Sequence, residues 1–201
     1  MKKIGILGGS FDPIHNGHIN IAVNALIKRN LDFVCFMPTK KNPFKAGKDQ
    51  ASDEDRLAML KAAIGQNTSF CIIDDELKDK NVSYTYNTME NLSKNYVGCH
   101  LYFIIGSDSL MSMEKWYRGE DLLKNFSFIV ALRPGQTYEE LENKVNELVE
   151  KYDADIDLME MDVLDDSSST EIRELLKNGG DISYMVPPKV KEYIYEHGLY
   201  L

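Results

Sequence analysis

The sequence predicts a parallel α/β sheet, doubly wound and Rossmann-like, with helices on both faces. Two observations lead there. Short apolar runs alternate with helical stretches almost from end to end, the pattern of right-handed strand–helix–strand crossovers. The segments that carry chemistry also fall just after the predicted strands, where sheets of this class bind ligands.

Residues 4–7 read as a buried first strand, and 19–27 as the helix that follows it. Residues 33–37 are rich in β-forming side chains and end at Pro38. A polar loop over 39–51 carries four lysines and Pro43. Ser52 can cap a helix whose first turn holds Asp53, Glu54 and Asp55, and Gly65 can stop it. Residues 70–73 suit a third strand, 85–95 a helix, and 101–105 the clearest buried strand, closed by Gly106. Ser107 and Asp108 can cap the next helix. A strand over 126–132 stops at Arg133-Pro134-Gly135, and Thr137 with Glu140 forms a capping box for a helix reaching about Tyr152. Residues 156–161 suit a further strand, giving five or six in all, and helices over 170–177 and 187–197 finish the chain.

At 201 residues the chain fits a single domain, 1–201, with a C-terminal helical portion at about 168–201. Its net charge of −9 argues against duplex nucleic acid as a partner. No apolar stretch is long enough for a membrane span and no signal-peptide pattern is present, so a soluble cytoplasmic protein is expected, with homo-oligomer formation left open. Cys35, Cys71 and Cys99 are odd in number, lack a C-x-x-C spacing and lie in or beside apolar runs. They are expected to be reduced and buried.

The most informative segment is Gly8-Gly9-Ser10-Phe11-Asp12-Pro13-Ile14-His15-Asn16-Gly17-His18. A glycine-rich turn between strand and helix offers N–H groups to an anion, and the helix start adds partial positive charge. His15 and His18, at i and i+3, share one helix face, while Gly17 lets a ligand approach the backbone. The P-loop pattern G-x-x-x-x-G-K-[ST] and the dinucleotide pattern G-x-G-x-x-G are both absent. Against an acidic background, a triphosphate needs local cations. His15, His18, Lys40, Lys41, Lys45, Lys48, Arg133, Arg173 and a divalent cation are the candidates.

These residues resemble the nucleotidyltransferase superfamily that carries the H-x-G-H signature, and within it the bacterial nicotinate-nucleotide adenylyltransferases. Ser168-Ser169-Thr170-Glu171-Ile172-Arg173 is similar to that family's second motif. Gly106-Ser107-Asp108 followed by Trp116, and the C-terminal Val186-Pro187-Pro188 helix, also agree. The departures are Ser10 for threonine, Ser167 for a common isoleucine, and Phe44 where histidine is frequent.

The resemblance implies adenylyl transfer from ATP, bound with Mg2+, to nicotinate mononucleotide in NAD biosynthesis. It implies His18, His15 and Arg173 as catalytic groups. ATP would lie against Gly8, Gly9, Ser10, Phe11, Gly17, Gly106, Asp108, Ser169 and Thr170. The mononucleotide would meet Lys45, Thr85, Trp116, Tyr117 and Arg133, and no residue is assigned to a metal. Arg56 reads as a structural ion pair. Alternative readings are a transferase acting on phosphopantetheine or nicotinamide mononucleotide, a cytidylyltransferase, or a non-catalytic nucleotide sensor. His15, where the phosphopantetheine enzymes commonly have threonine, weighs against the first.

Overall fold

The apolar runs 4–7 and 101–105 lie side by side at the middle of a parallel sheet, in the computed structural model that describes residues 1–40, 50–78, 83–132, 137–161 and 167–201. The first belongs to β1 (Lys2–Gly9) and the second to β4 (Cys99–Gly106). Around them stand β2 (Phe33–Pro38), β3 (Phe70–Ile72), β5 (Ser127–Ala131) and β6 (Asp155–Met159), in the order β3-β2-β1-β4-β5-β6. The order reverses between β1 and β4, and in such sheets that switch opens a crevice at the carboxyl ends of the two strands.

Side chains alternate across the sheet and feed two cores. Leu7, Phe36, Ile104 and Ile129 face one core, with α1 (Asn16–Lys28), α2 (Asp53–Ile64), α8 (Ser169–Lys177) and α9 (Pro188–Glu196) packed over them. Ile6, Met37, Phe103, Ile105 and Phe128 face the other. Its cover is α4 (Thr85–Asn95), α6 (Gly119–Asn125) and α7 (Tyr138–Tyr152). The C-terminal helices share the first core with Phe11 and Ile14 of the glycine-rich turn.

The predicted caps of α2 and α7 are present. The Ser52 hydroxyl accepts from the Asp55 N–H, Thr137 and Glu140 cap each other, and Gly65 ends α2 at φ 55°. Other details differ. A short α3 (Asp75–Lys78) follows β3, and β6 begins and ends earlier than the predicted 156–161. Residues 107–125 form α5 (Ser107–Leu110), a 3-10 turn (Met113–Lys115) and α6 rather than one helix. Gly106, not Ser107 or Asp108, holds the cap position of α5.

The expectation of three reduced cysteines is corrected. β2 and β3 pair with Cys35 directly opposite Cys71, their Cα atoms 4.4 Å apart, and a disulfide joins them. Cys99 is free. Strand register placed the pair together, and spacing along the chain could not show it. Among the described residues no helix is long and apolar enough to cross a membrane.

Candidate active site

At the end of β1 the chain turns on Gly9, where a Cβ would lie 3.1 Å from the Phe11 ring. Phe11 itself adopts φ 47°, a left-handed conformation rare for a bulky residue. Its ring is fully buried and stands edge-on to His18 and Phe36, with centroids 4.9 and 5.8 Å away. The side chain anchors the turn, so what Phe11 can offer a ligand is its backbone.

Side chains from distant elements hold the turn's carbonyls. Arg56 of α2 donates Nη1 to the Ser10 carbonyl. Arg173 of α8 donates Nη1 to the Asp12 carbonyl at 2.7 Å, and the Ser169 hydroxyl donates to the Pro13 carbonyl at 3.0 Å. The Asp12 carboxylate is 3% exposed. Its Oδ1 accepts from the Ala51 N–H at 3.0 Å and from the Tyr200 hydroxyl at 2.6 Å. Burial, and then that bond, pushes the Tyr200 phenol well above the ordinary tyrosine range.

The helix opens on the two histidines. His15 is the N-cap residue of α1 and His18 its third residue, and their rings lie 3.7 Å apart. His15 is 7% exposed and His18 half-buried. The His15 backbone N–H donates to His18 Nδ1 at 3.3 Å. An Nδ1 that accepts leaves the ring proton of a neutral histidine on Nε2. The start of α1 is fixed from the far end of the chain, because the Asn16 N–H donates to the Met185 carbonyl at 2.8 Å and its side chain to the Tyr184 carbonyl at 3.0 Å.

The second predicted motif arrives at the same place. Ser168 caps α8 by accepting from the Glu171 N–H. Arg173 Nη2 donates to the Thr170 hydroxyl at 3.3 Å, so its fork spans α8 and the turn. At the end of β4, Gly106 leads into α5 with an exposed Asp108 in its first turn.

Of the residues expected to meet the mononucleotide, Thr85 is the first of α4. The rings of Tyr84 and Tyr117 lie with centroids 4.4 Å apart and planes tilted by 31°, and Tyr117 is 51% exposed. Trp116 is half-buried against the second core, its indole N–H donating to the Ser112 hydroxyl at 3.3 Å. A cavity of about 540 Å³ opens at Tyr84, lined also by Met37, Ile73, Glu76, Ser83 and Thr88. Lys45 and Arg133, together with Lys41 and Lys48, lie outside the described residues.

Sequence reasoning passed over three contributors to this site: the Asp12 carboxylate, Tyr200, and the grip of Arg56 on Ser10. Their signals were faint. An Asp in the turn reads as part of the motif, and a tyrosine next to the C-terminus as tail. Arg56 does pair with Asp53, as expected, but that is one of its contacts among several.

A glycine-rich turn at the sheet's switch point, closed by H-x-G-H on a helix start, defines a nucleotidyltransferase. The cytidylyltransferase-like family model matches residues 6–175, and the chain belongs to that family, in its nicotinate-nucleotide adenylyltransferase branch. The probable nicotinate-nucleotide adenylyltransferase of Clostridium tetani is 40% identical over 200 residues, covering 100% of both chains. That of Caldicellulosiruptor saccharolyticus is 41% identical over 198 residues, 98% of each. Among solved structures, Plasmodium falciparum nicotinic acid mononucleotide adenylyltransferase complexed with NaAD superimposes with a TM-score of 0.82. Its identity is 22%, over 100% of this chain and 98% of that one, a likeness that shows the fold.

Proposed function

We propose that this chain transfers the adenylyl group of ATP to nicotinate mononucleotide, giving nicotinate adenine dinucleotide and pyrophosphate, a step of NAD biosynthesis. The observation that carries the chemistry is the pairing of His15 and His18 at the start of α1, with the His15 N–H donating to His18 Nδ1. The choice of acceptor is supported by relatives of that name that are similar along the full length of the chain.

In the reaction a 5′-phosphate oxygen of the mononucleotide attacks the α-phosphorus of ATP. The bond to the bridging oxygen breaks, and pyrophosphate leaves. Nucleophile and leaving group are both anionic oxygens, so the protein's work is positioning and charge stabilisation. We assign His18 Nε2–H to the α-phosphate as negative charge builds on its oxygens. His15 and the N–H groups around Gly8, Gly9, Ser10 and Phe11 steady the phosphate chain, and Gly17 leaves it room. Ser169 and Thr170 stand at the start of α8, with the Arg173 guanidinium reaching back to Thr170, a group suited to the β- and γ-phosphates. Gly106 and Asp108 face the ribose, with the carboxylate accepting from its hydroxyls. The exposed Tyr117, with Thr85 and Trp116, borders the nicotinate ring, and Lys45 and Arg133 remain proposals for the mononucleotide phosphate.

Mg2+ enters this proposal as part of the ATP substrate. Among the described residues no group of three His, Cys, Asp or Glu side chains could hold a metal ion. The cation would be held chiefly by phosphate oxygens and water, where it neutralises phosphate charge when bound. We also place the enzyme in the cytoplasm, where ATP is made and spent, although a bond such as Cys35–Cys71 is more usual in oxidising compartments.

Pyrophosphate release from MgATP, measured with each candidate acceptor, tests the proposal. Activity is expected with nicotinate mononucleotide, much less with the nicotinamide form, and none with phosphopantetheine. No release with any acceptor would sink the enzymatic reading, and a preference for phosphopantetheine would replace the acceptor.

A further inference from the structure

Arg56 is the largest fully buried side chain of the described residues, 1% exposed, and a charge so placed must be spent on partners. Its guanidinium makes three bonds, one of them to the glycine-rich turn. Nη1 donates to the Ser10 carbonyl, and Nη2 to the Thr39 carbonyl at 2.9 Å and to the Asp53 carboxylate at 2.7 Å. One side chain of α2 thus fixes the residues that follow both β1 and β2. The Thr39 N–H in turn donates to the Gly9 carbonyl at 2.9 Å, closing the link between the two strand ends.

The geometry points to Arg56 as the positioning residue that aims the Phe11 N–H at the ATP phosphates. This inference rests on the function proposed above. The Ser10–Phe11 peptide is trans, and in a planar trans peptide the C=O and the N–H point in opposite directions. A guanidinium that holds the Ser10 oxygen from the buried side turns the Phe11 N–H toward the open side, where Ser10 is exposed. Among the described residues that N–H donates to no carbonyl. The left-handed backbone of Phe11 is a conformation the residue would leave if nothing held it, and the Arg56 bond supplies a hold on its N-terminal side. Asp53 offsets the guanidinium charge, so direction, more than field, is what Arg56 contributes.

The test compares ATP affinity with acceptor affinity. Arg56→Lys keeps the charge but loses the fork that grips two carbonyls. Calorimetric titration with MgATP alone should show binding weakened by about tenfold or more, the scale of one charge-assisted hydrogen bond. The KM for nicotinate mononucleotide should stay within about twofold of wild type, since among the described residues none of those assigned to the acceptor bonds to Arg56. A purely structural role would move both, and equal losses would overturn the inference. If Arg56→Lys fails to fold, Asp53→Asn decides. It loosens the guanidinium from a half-exposed partner and should weaken MgATP binding about two- to threefold with the fold intact. Unchanged binding in either folded variant would overturn the inference while leaving the proposed function standing. Wild-type protein that takes up no MgATP would remove both.

Discussion

His18 receives the His15 backbone N–H on Nδ1, and that bond decides what the ring can do at the site. With the proton on Nε2, the ring is a donor whether neutral or charged. A donor aimed at the α-phosphate matters most when that phosphorus is five-coordinate and its oxygens carry the most charge. His18→Ala should therefore lower kcat by about a hundredfold or more, with MgATP binding weakened much less. Steady-state kinetics beside calorimetry would measure the split, and equal losses would reduce His18 to a binding group. The histidines were legible in the sequence because their spacing is local and helical. Asp12 with Tyr200 and Ser10 with Arg56 were not, because those pairs lie 188 and 46 residues apart and meet through tertiary packing alone.

Between residue and fold, the 3-10 turn that precedes Trp116 is pinned to α7 by one carboxylate. Glu114 accepts from Lys144 Nζ, Lys151 Nζ and the Tyr152 hydroxyl, each at 2.8 Å. Those bonds hold its pKa at about 2, against 4.5 for a free side chain. Between these values the unfolded chain binds a proton that the folded chain does not. Stability from Glu114 is then fully present above pH 4.5 and is lost as pH falls toward 2. Glu114→Gln should cost about 1 kcal/mol near neutrality, the scale of a partly exposed ion-pair network. Urea unfolding should show the gap from wild type closing as pH drops below 4.5, and a gap independent of pH would refute the role. This connection was also where sequence reasoning gave least. Ser52 and Thr137 announced α2 and α7 through local caps, whereas the break of 107–125 into three short pieces depends on packing. At Trp116-Tyr117-Arg118 the chain even enters the left-handed region, with Arg118 at φ 54°.

Across the whole molecule, the two ends of the chain meet at the site. Tyr200 is buried in the first core and donates to Asp12 of the turn, while the Tyr193 hydroxyl of α9 donates to Asp55 of α2 at 3.0 Å. The C-terminal segment is thus a strap over the glycine-rich turn, which makes the chain one catalytic unit in our proposal. Tyr200→Phe removes a donor from a buried carboxylate and should cost about 1–3 kcal/mol at pH 8. The pH dependence has a definite sign. The folded-state pKa lies above the unfolded value of 10.0, so the contribution is complete below pH 10. Above it the unfolded chain ionises its phenol while the folded chain keeps the proton, and the advantage shrinks. Unfolding curves for wild type and Tyr200→Phe at pH 8 and at about pH 10.5 should therefore converge at the higher pH. A gap that persists unchanged would mean the hydroxyl contributes packing alone. The same pair of proteins separates strap from site: if the strap holds Asp12 and Asp12 holds the turn, Tyr200→Phe should also weaken MgATP binding at pH 8, by less than Arg56→Lys does, because the Asp12 carboxylate still has Ala51 as a donor.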